Sequence, residues 1–493
     1  MLSRLSFSIY DLRDSLWYRP ALMTLGAIVV AFVMIWIDEQ VLQGSNLRTW
    51  WLFSGGVEGA RGVLSAIAAT MITVVTTAFS ITMVTLQLSS SQYSPRILRG
   101  FTGDPGNQLV LGIFIATFVY CLLVLRSVRS ELEDQRTFVP ALAISLALVL
   151  ALVCIGSLIY FLHHASRTIQ ASVILDKSAN DTFGLIEDHF NVGNSERMSD
   201  RTRSLLDNLP VVTEVISERP GYLRGMDDST LVALARKYDL LLTLHPHVGN
   251  YIFTGSPLAT VQRFTTRELN EDDEHSEEES VFIRLKERIA EVLSPNSADA
   301  DKKEKDGNGR SEVEKISDAI RGTFTTGLER TLNEDVLFGF QQLADIGLRA
   351  LSPGVNDPTT AMFCIDWLGE GLIRVQDTND RPTVAVDEDG TPRVVYPPIP
   401  FEQFLTISFR HIRHYAAGDP FVSRHIIEVL ESVYRSSTNE QARAAVAEGA
   451  RRTVEAHAAS DPLPTELERV RMAASWAYTE DSVPLEYEHT AQT

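Results

Sequence analysis

Along the first third of the chain, apolar positions run together instead of alternating with polar ones. The first run covers 20–37 without a charge, and three more follow at about 60–88, 107–125 and 138–162. Each approaches or exceeds the ~20 residues that cross a hydrocarbon core about 30 Å thick. Runs of this length, repeated four times, predict a four-helix transmembrane domain over 1–164. The first leads into Trp36-Ile37-Asp38-Glu39 with no small-residue cleavage site, so it reads as a retained helix and not as a signal peptide.

After His163-His164 the pattern becomes that of a water-facing chain. Residues 165–210 read as a helical connector that ends before Pro210. Residues 211–267 read as a small α+β module, with strands at 211–217, 221–223, 240–244 and 251–261 and a helix at 228–238. Residues 268–316 form an insertion, acid-rich over 271–279 and disordered by composition further on. Calcium binding there is disfavoured, because the spacing is not that of an EF-hand loop. From 317 to 480 the chain reads as a helical domain, and 481–493 as a tail. In this domain Asn333 is placed to cap a helix over 334–351, Ser352-Pro353-Gly354 to stop it, and Asp357-Pro358 to start the next. A short hairpin is expected around Asp389-Gly390, and helices at 400–416, 421–437, 439–458 and 464–478. No solenoid-type repeat is visible. The fold class is thus an α-helical integral membrane protein carrying a mainly α region with a small β-rich module.

Composition alters this picture little. The whole-chain averages, 45% hydrophobic and 22% charged over 493 residues, conceal the contrast between the two parts. The net charge of −20, from 44 basic and 64 acidic residues, argues against nucleic-acid binding, which needs basic stripes to displace counterions. Cys121, Cys154 and Cys364 show no CxxC or metal-type spacing, so no disulfide framework or zinc site is expected. Arg4, Arg13, Arg19, Arg96, Arg99, Arg167 and Lys177 flank the runs on one side. Arg48, Arg126, Arg129 and Arg136 flank them on the other. The excess of basic residues predicts that both termini are cytoplasmic, in a bacterial inner membrane.

Three blocks carry a family resemblance. They are Leu86-Gln87-Leu88-Ser89-Ser90-Ser91-Gln92-Tyr93-Ser94-Pro95-Arg96-Ile97-Leu98, the module ending Gly255-Ser256-Pro257-Leu258, and Arg349-Ala350-Leu351-Ser352-Pro353-Gly354-Val355-Asn356-Asp357-Pro358-Thr359-Thr360-Ala361. Together they resemble a bacterial membrane-protein family catalogued as domain of unknown function 2254. The resemblance implies an integral membrane protein with a soluble C-terminal half and supplies no activity. Separately, the phrase at 249–258 resembles the turn of lipoyl and biotinyl barrel-sandwich domains. No Lys stands at a hairpin tip, so carrier function is not implied.

The second run carries the most specific chemistry. At 1.5 Å per residue, 60–88 spans roughly 43 Å, more than a straight crossing needs. Thr70, Thr73, Thr77, Ser80 and Gln87 fall within an arc of about 100°, continued by Gly59, Gly62, Ala66 and Ser91. Ile72, Val75, Phe79 and Leu86 are assigned to the opposite face, and Thr82 and Thr85 fall outside the stripe. Such a stripe is either a close-packing seam between helices or the water-facing lining of a pore. Arg96 and Arg99, after Pro95, belong to an inner mouth or to lipid head groups. The apolar runs hold no charge near their centres, which argues against a pump or coupled transporter.

The enzyme case is weak. No nucleophile elbow, P-loop or dinucleotide fingerprint occurs. His163-His164 ends the fourth helix, where cations suit the helix dipole; His245 and His247 flank Pro246 without an identifiable carboxylate partner, and His411 and His414 sit at i,i+3 beside Arg410 and Arg413. The 352–358 turn offers a capped corner, or a ligand or subunit contact through Arg349, Asn356 and Asp357. The resulting expectation is a homo-oligomeric channel for ions or small solutes with a cytoplasmic regulatory domain and no cofactor or metal. The alternative is a membrane-anchored scaffold or sensor.

Overall fold

The computed structural model describes residues 17–42, 52–92, 104–129, 138–168, 170–190, 195–197, 209–263, 312–332, 334–376 and 382–478. They divide into two compact units, Met1–Ile174 and Leu175–Thr493. Arg96, Arg99 and nearly all of the acidic insertion lie outside the described residues.

In the first unit the four apolar runs form α1 (Tyr18–Ile37), α2 (Val57–Gln92), α3 (Pro105–Ser127) and α4 (Ala141–Thr168). All four are long and apolar enough to cross a membrane. α3 is the centre of the bundle. It packs against each of the other three, whereas α1 and α2 hardly touch each other. Phe114, Tyr120, Cys121 and Val124 of α3 are buried, while Leu25, Leu152 and Ile159 of the outer helices are about two-thirds exposed. In a bilayer those side chains meet lipid tails, so their exposure has no aqueous cost.

Polar side chains close the bundle at both ends. Asp38, at the end of α1, is buried and accepts hydrogen bonds from the N–H groups of Leu142 (3.0 Å) and Ala143 (2.9 Å). It thereby caps the otherwise unsatisfied start of α4. At the opposite end Asp104 accepts from Gly106 N–H (3.4 Å) and Asn107 N–H (3.3 Å) and stands 2.6 Å from His164 Nε2 on α4. Tyr160 stacks on that imidazole, with ring centroids 5.5 Å apart.

The second unit begins within α5 (Ala171–Phe190), and the helical connector expected over 165–210 is interrupted by a strand, β1 (Ser195–Arg197). Next come β2 (Val211–Ile216), β3 (Gly221–Met226), α6 (Asp228–Lys237), β4 (Leu240–Leu244), β5 (Tyr251–Ile252) and β6 (Pro257–Arg263), close to the sequence expectation. They are followed by α7 (Glu312–Arg321) and β7 (Phe324–Gly327). Gly249 and Gly255 turn the chain with φ of 93° and 86°, and a Cβ at Gly249 would strike the Asp335 carboxylate. Both positions therefore require glycine.

The hairpin expected around Gly390 forms as β8 (Thr383–Val386) and β9 (Pro392–Tyr396). Its destination was not legible. β9 pairs in parallel with β4, placing Leu242 beside Val394 and completing a six-stranded sheet of order β1-β8-β9-β4-β6-β2. A three-stranded sheet, β5-β3-β7, completes the strand set. This small mixed-sheet region does not establish the barrel-sandwich closure suggested by the 249–258 phrase. Its core gathers Leu223, Leu231, Leu242, Val261, Ile320 and Val394 from across the unit.

Six helices complete it: α8 (Val336–Ala350), α9 (Pro358–Val375), α10 (Phe401–Ala416), α11 (Pro420–Ser436), α12 (Glu440–Ala458) and α13 (Pro464–Ala473). The cap of α8 is Asp335, which accepts from Phe338 N–H at 2.9 Å; Asn333, the cap expected from the sequence, lies outside the described residues. A carboxylate two residues later in the chain serves the same orphan donors, so spacing did not separate the candidates.

These helices stack as three successive hairpins. α8, α10 and α12 form one layer, joined where Gly347 meets Ile412 and Gly449 faces Leu405. α9, α11 and α13 form the other, joined by Gly369 against Val429 and by Ile427 with Val470. Pairing of chain neighbours is uneven, close between α8 and α9 and between α11 and α12 but light between α10 and α11 and between α12 and α13, so the two layers define no regular repeating unit.

Candidate functional site

α2 has 36 residues, a length of roughly 54 Å that exceeds the hydrocarbon core. Its buried face consists of Ala60, Leu64, Ala68, Met71, Ala78, Thr82 and Thr85. This is the face that meets α3. The stripe of Thr70, Thr73, Thr77, Ser80 and Gln87 points away from it, and all five side chains are exposed. Among the described residues the stripe is thus not a seam between helices of one chain.

Two details of the sequence reading change. Thr82 and Thr85 belong to the bundle interior. Ile72, assigned to the face opposite the stripe, is 48% exposed and lies at the stripe's margin, while Val75, Phe79 and Leu86 are half-buried. The error arose because α2 packs along one narrow line on α3, so buried and exposed arcs need not coincide with apolar and polar ones.

The hydroxyls of the stripe are satisfied within their own helix. Thr70 donates to Ala66 O (2.7 Å), Thr73 to Ala69 O (3.1 Å), Thr77 to Thr73 O (3.0 Å) and Ser80 to Thr76 O (2.8 Å). This i−4 back-bonding makes hydroxyls tolerable in a membrane helix. It also turns the donor inward and leaves oxygen lone pairs facing out.

The 352–358 corner is a hydrogen-bonded turn. Asp357 Oδ1 accepts from Thr360 N–H (3.1 Å) and Oδ2 from the Thr360 hydroxyl (2.6 Å), capping α9 as expected. The Thr360 hydroxyl, and then its N–H, hold this carboxyl below the ordinary carboxylate range. Asn356 adopts φ 50°, a left-handed conformation that asparagine tolerates, and both it and Arg349 are exposed. Asp357→Ala should therefore cost about 0.5–2 kcal/mol. A thermal melt of the full chain in detergent checks this, and a loss of function without loss of stability would instead assign the carboxylate to a ligand.

Sequence reasoning missed the paired ends of the membrane bundle. The place of His164 at the end of α4 suggests only a cation at a helix C-terminus, whereas its partner is the carboxylate of Asp104, sixty residues away. Arg61, on the second turn of α2, comes within 3.5 Å of Val128 O. His245 is bonded to the Thr260 hydroxyl at 2.7 Å. Among the described residues no group of His, Cys, Asp and Glu is placed to hold a metal ion.

A family model described as a predicted membrane protein, DUF2254, matches residues 13–432. The chain belongs to this family. The match covers all four membrane helices, both sheets and the second unit's helices as far as most of α11. Uncharacterized proteins of Mycobacterium bovis and Mycobacterium tuberculosis are each 30% identical to it over 451 residues, covering 90% of this chain and 77% of theirs. No solved structure matches. The DUF2254 assignment accords with the four apolar helices and adds no substrate to them.

Proposed function

We propose that this membrane protein is a homo-oligomeric channel or pore for ions or small solutes, in which copies of α2 surround the path. The observation that carries the reading is the exposed polar stripe on α2, which no other helix among the described residues covers. Thr70, Thr73, Thr77, Ser80, Val84 and Gln87 recur at alternating intervals of three and four residues. That period is the one by which helices pack around a common axis in left-handed bundles. The outward oxygen lone pairs suit cations and water better than anions, and Val84 marks an apolar ring within the path. The excess of flanking basic residues supports cytoplasmic termini in the inner membrane, with the second unit as the regulatory domain.

A membrane-anchored scaffold is the second reading. It is favoured by the large second unit, in which α8–α13 form two helical layers apart from the apolar spans. The two separate by water access. In a chain lacking Cys121, Cys154 and Cys364, single cysteines at Thr70, Thr73, Thr77 and Ser80 should react with a small polar thiol reagent. Cysteines at Met71 and Ala78, inside the bundle, should not. Equal and negligible labelling of both sets would leave the scaffold.

A further inference from the structure

Because α1 and α2 each lean on α3 and hardly on each other, an open crevice remains between them. Trp17, at the start of α1, forms its rim. Val75, Thr76 and Phe79 of α2 form one wall, and Leu111 and Ile115 of α3 form the floor. Trp17 is 58% exposed, and its ring lies 6.4 Å from that of Phe79. The one hydroxyl in the lining, that of Thr76, already donates to Ile72 O at 2.9 Å, so nothing in the lining demands a polar ligand. An apolar space of this kind excludes water and takes an apolar occupant.

We propose that the crevice holds one acyl chain of a membrane phospholipid. The bilayer around four lipid-facing helices supplies that ligand at the opening. Trp17 begins the apolar span, the level at which tryptophan rings meet lipid head groups. Pro20, buried one turn further along α1, belongs to the same lining and continues it inward from the rim. The inference depends on the membrane location of the helices and not on α2 lining a pore. Val75, Thr76 and Phe79 adjoin Thr73, Thr77 and Ser80 in sequence, so an acyl chain here bears directly on the helix that carries the stripe.

The test is native mass spectrometry of the full chain, extracted in mild detergent and washed free of bulk lipid. The wild type should retain one phospholipid per chain. Thr76→Phe, which fills the wall from an exposed position, and Leu111→Trp, which fills the floor, should each lose it. Leu152→Phe, on the exposed face of α4, should keep it. Should Leu111→Trp fail to fold, Thr76→Phe decides alone. Retention of the lipid by Thr76→Phe, or its absence from the wild type, would overturn the proposal. A cysteine at position 76 that cross-links to a second copy, with no phospholipid retained, would assign the crevice to a neighbouring chain instead.

Discussion

Thr77→Leu should lower ion flux into reconstituted liposomes by about tenfold or more while the chains remain assembled. The residue lies mid-helix on the exposed stripe of α2, one turn beyond Thr73. Leucine removes the outward oxygen and adds an isobutyl group, and an oligomer repeats the change in every copy around the axis. A narrowed, apolar ring conducts poorly because ions cannot carry their hydration shell through it. A tenfold loss corresponds to a barrier rise of about 1.4 kcal/mol, small beside the cost of dehydrating an ion. Thr77→Ser keeps the hydroxyl and should keep most of the flux. The measurement pairs a liposome flux assay with the oligomer mass in detergent. Unchanged flux together with a weaker oligomer would mean that the stripe is a seam between copies and that α2 lines no path.

Arg393→Met should destabilise the second unit by about 3–5 kcal/mol, the usual cost of orphaning one partner of a buried ion pair. Arg393 is fully buried. Its Nε donates to Asp387 Oδ2 at 2.8 Å and its Nη1 to Asp239 Oδ1 at 2.9 Å. The arrangement ties the β8–β9 hairpin to the residue just before β4. Burial opposes the charge on Asp387, but the Arg393 guanidinium and the N–H groups of Thr391 and Asp389 outweigh it and hold the carboxyl below its ordinary value. A depressed native pKa gives stability that is present above the ordinary value of about 3.9 and is lost as pH falls through the native one. Without Arg393, burial dominates and the Asp387 carboxyl moves upward. The penalty of the variant should therefore be greatest near neutrality and shrink as the medium is acidified. Removing both charges, as Arg393→Met with Asp387→Leu, should recover much of the loss. Thermal melts of the full chain in detergent at neutral and acidic pH read all three outcomes. Equal melting temperatures for Arg393→Met and the wild type near neutrality would remove the pair from any role in holding the hairpin.

Part of the helical stack was within reach of the sequence. Asp-Pro occurs at 357–358, 419–420 and 461–462, each time between the two helices of one hairpin. Asp357 and Asp419 both cap the helix that follows. The first interval exceeds the second by about the length of the β8–β9 insertion, so no fixed period emerges. The third copy also departs locally, because its helix starts only at Pro464. The hairpin itself was read correctly from Asp389-Gly390, yet nothing near it names β4 as its neighbour. A parallel pairing between stretches some 150 residues apart leaves no turn signal in either.

The chain alone determined the elements whose cause is local. Run length set the four membrane helices, because a bilayer demands about 20 apolar residues from each. Alternation and glycine set the strands of the small module, and the Asp357-Pro358 pair set a helix start, because a cap needs only the next few residues. Tertiary structure decided whatever depends on neighbours distant in sequence. It made Asp38 the cap of α4, Asp104 the partner of His164, and the β8–β9 hairpin part of a sheet begun at Ser195. It also decided which side of α2 is covered. Helical periodicity ordered Thr70, Thr73, Thr77 and Ser80 into a stripe, but only the packing of α3 against Met71, Ala78 and Thr82 leaves that stripe uncovered. Burial is set by what lies against a surface, and a helix carries no record of that in its own period.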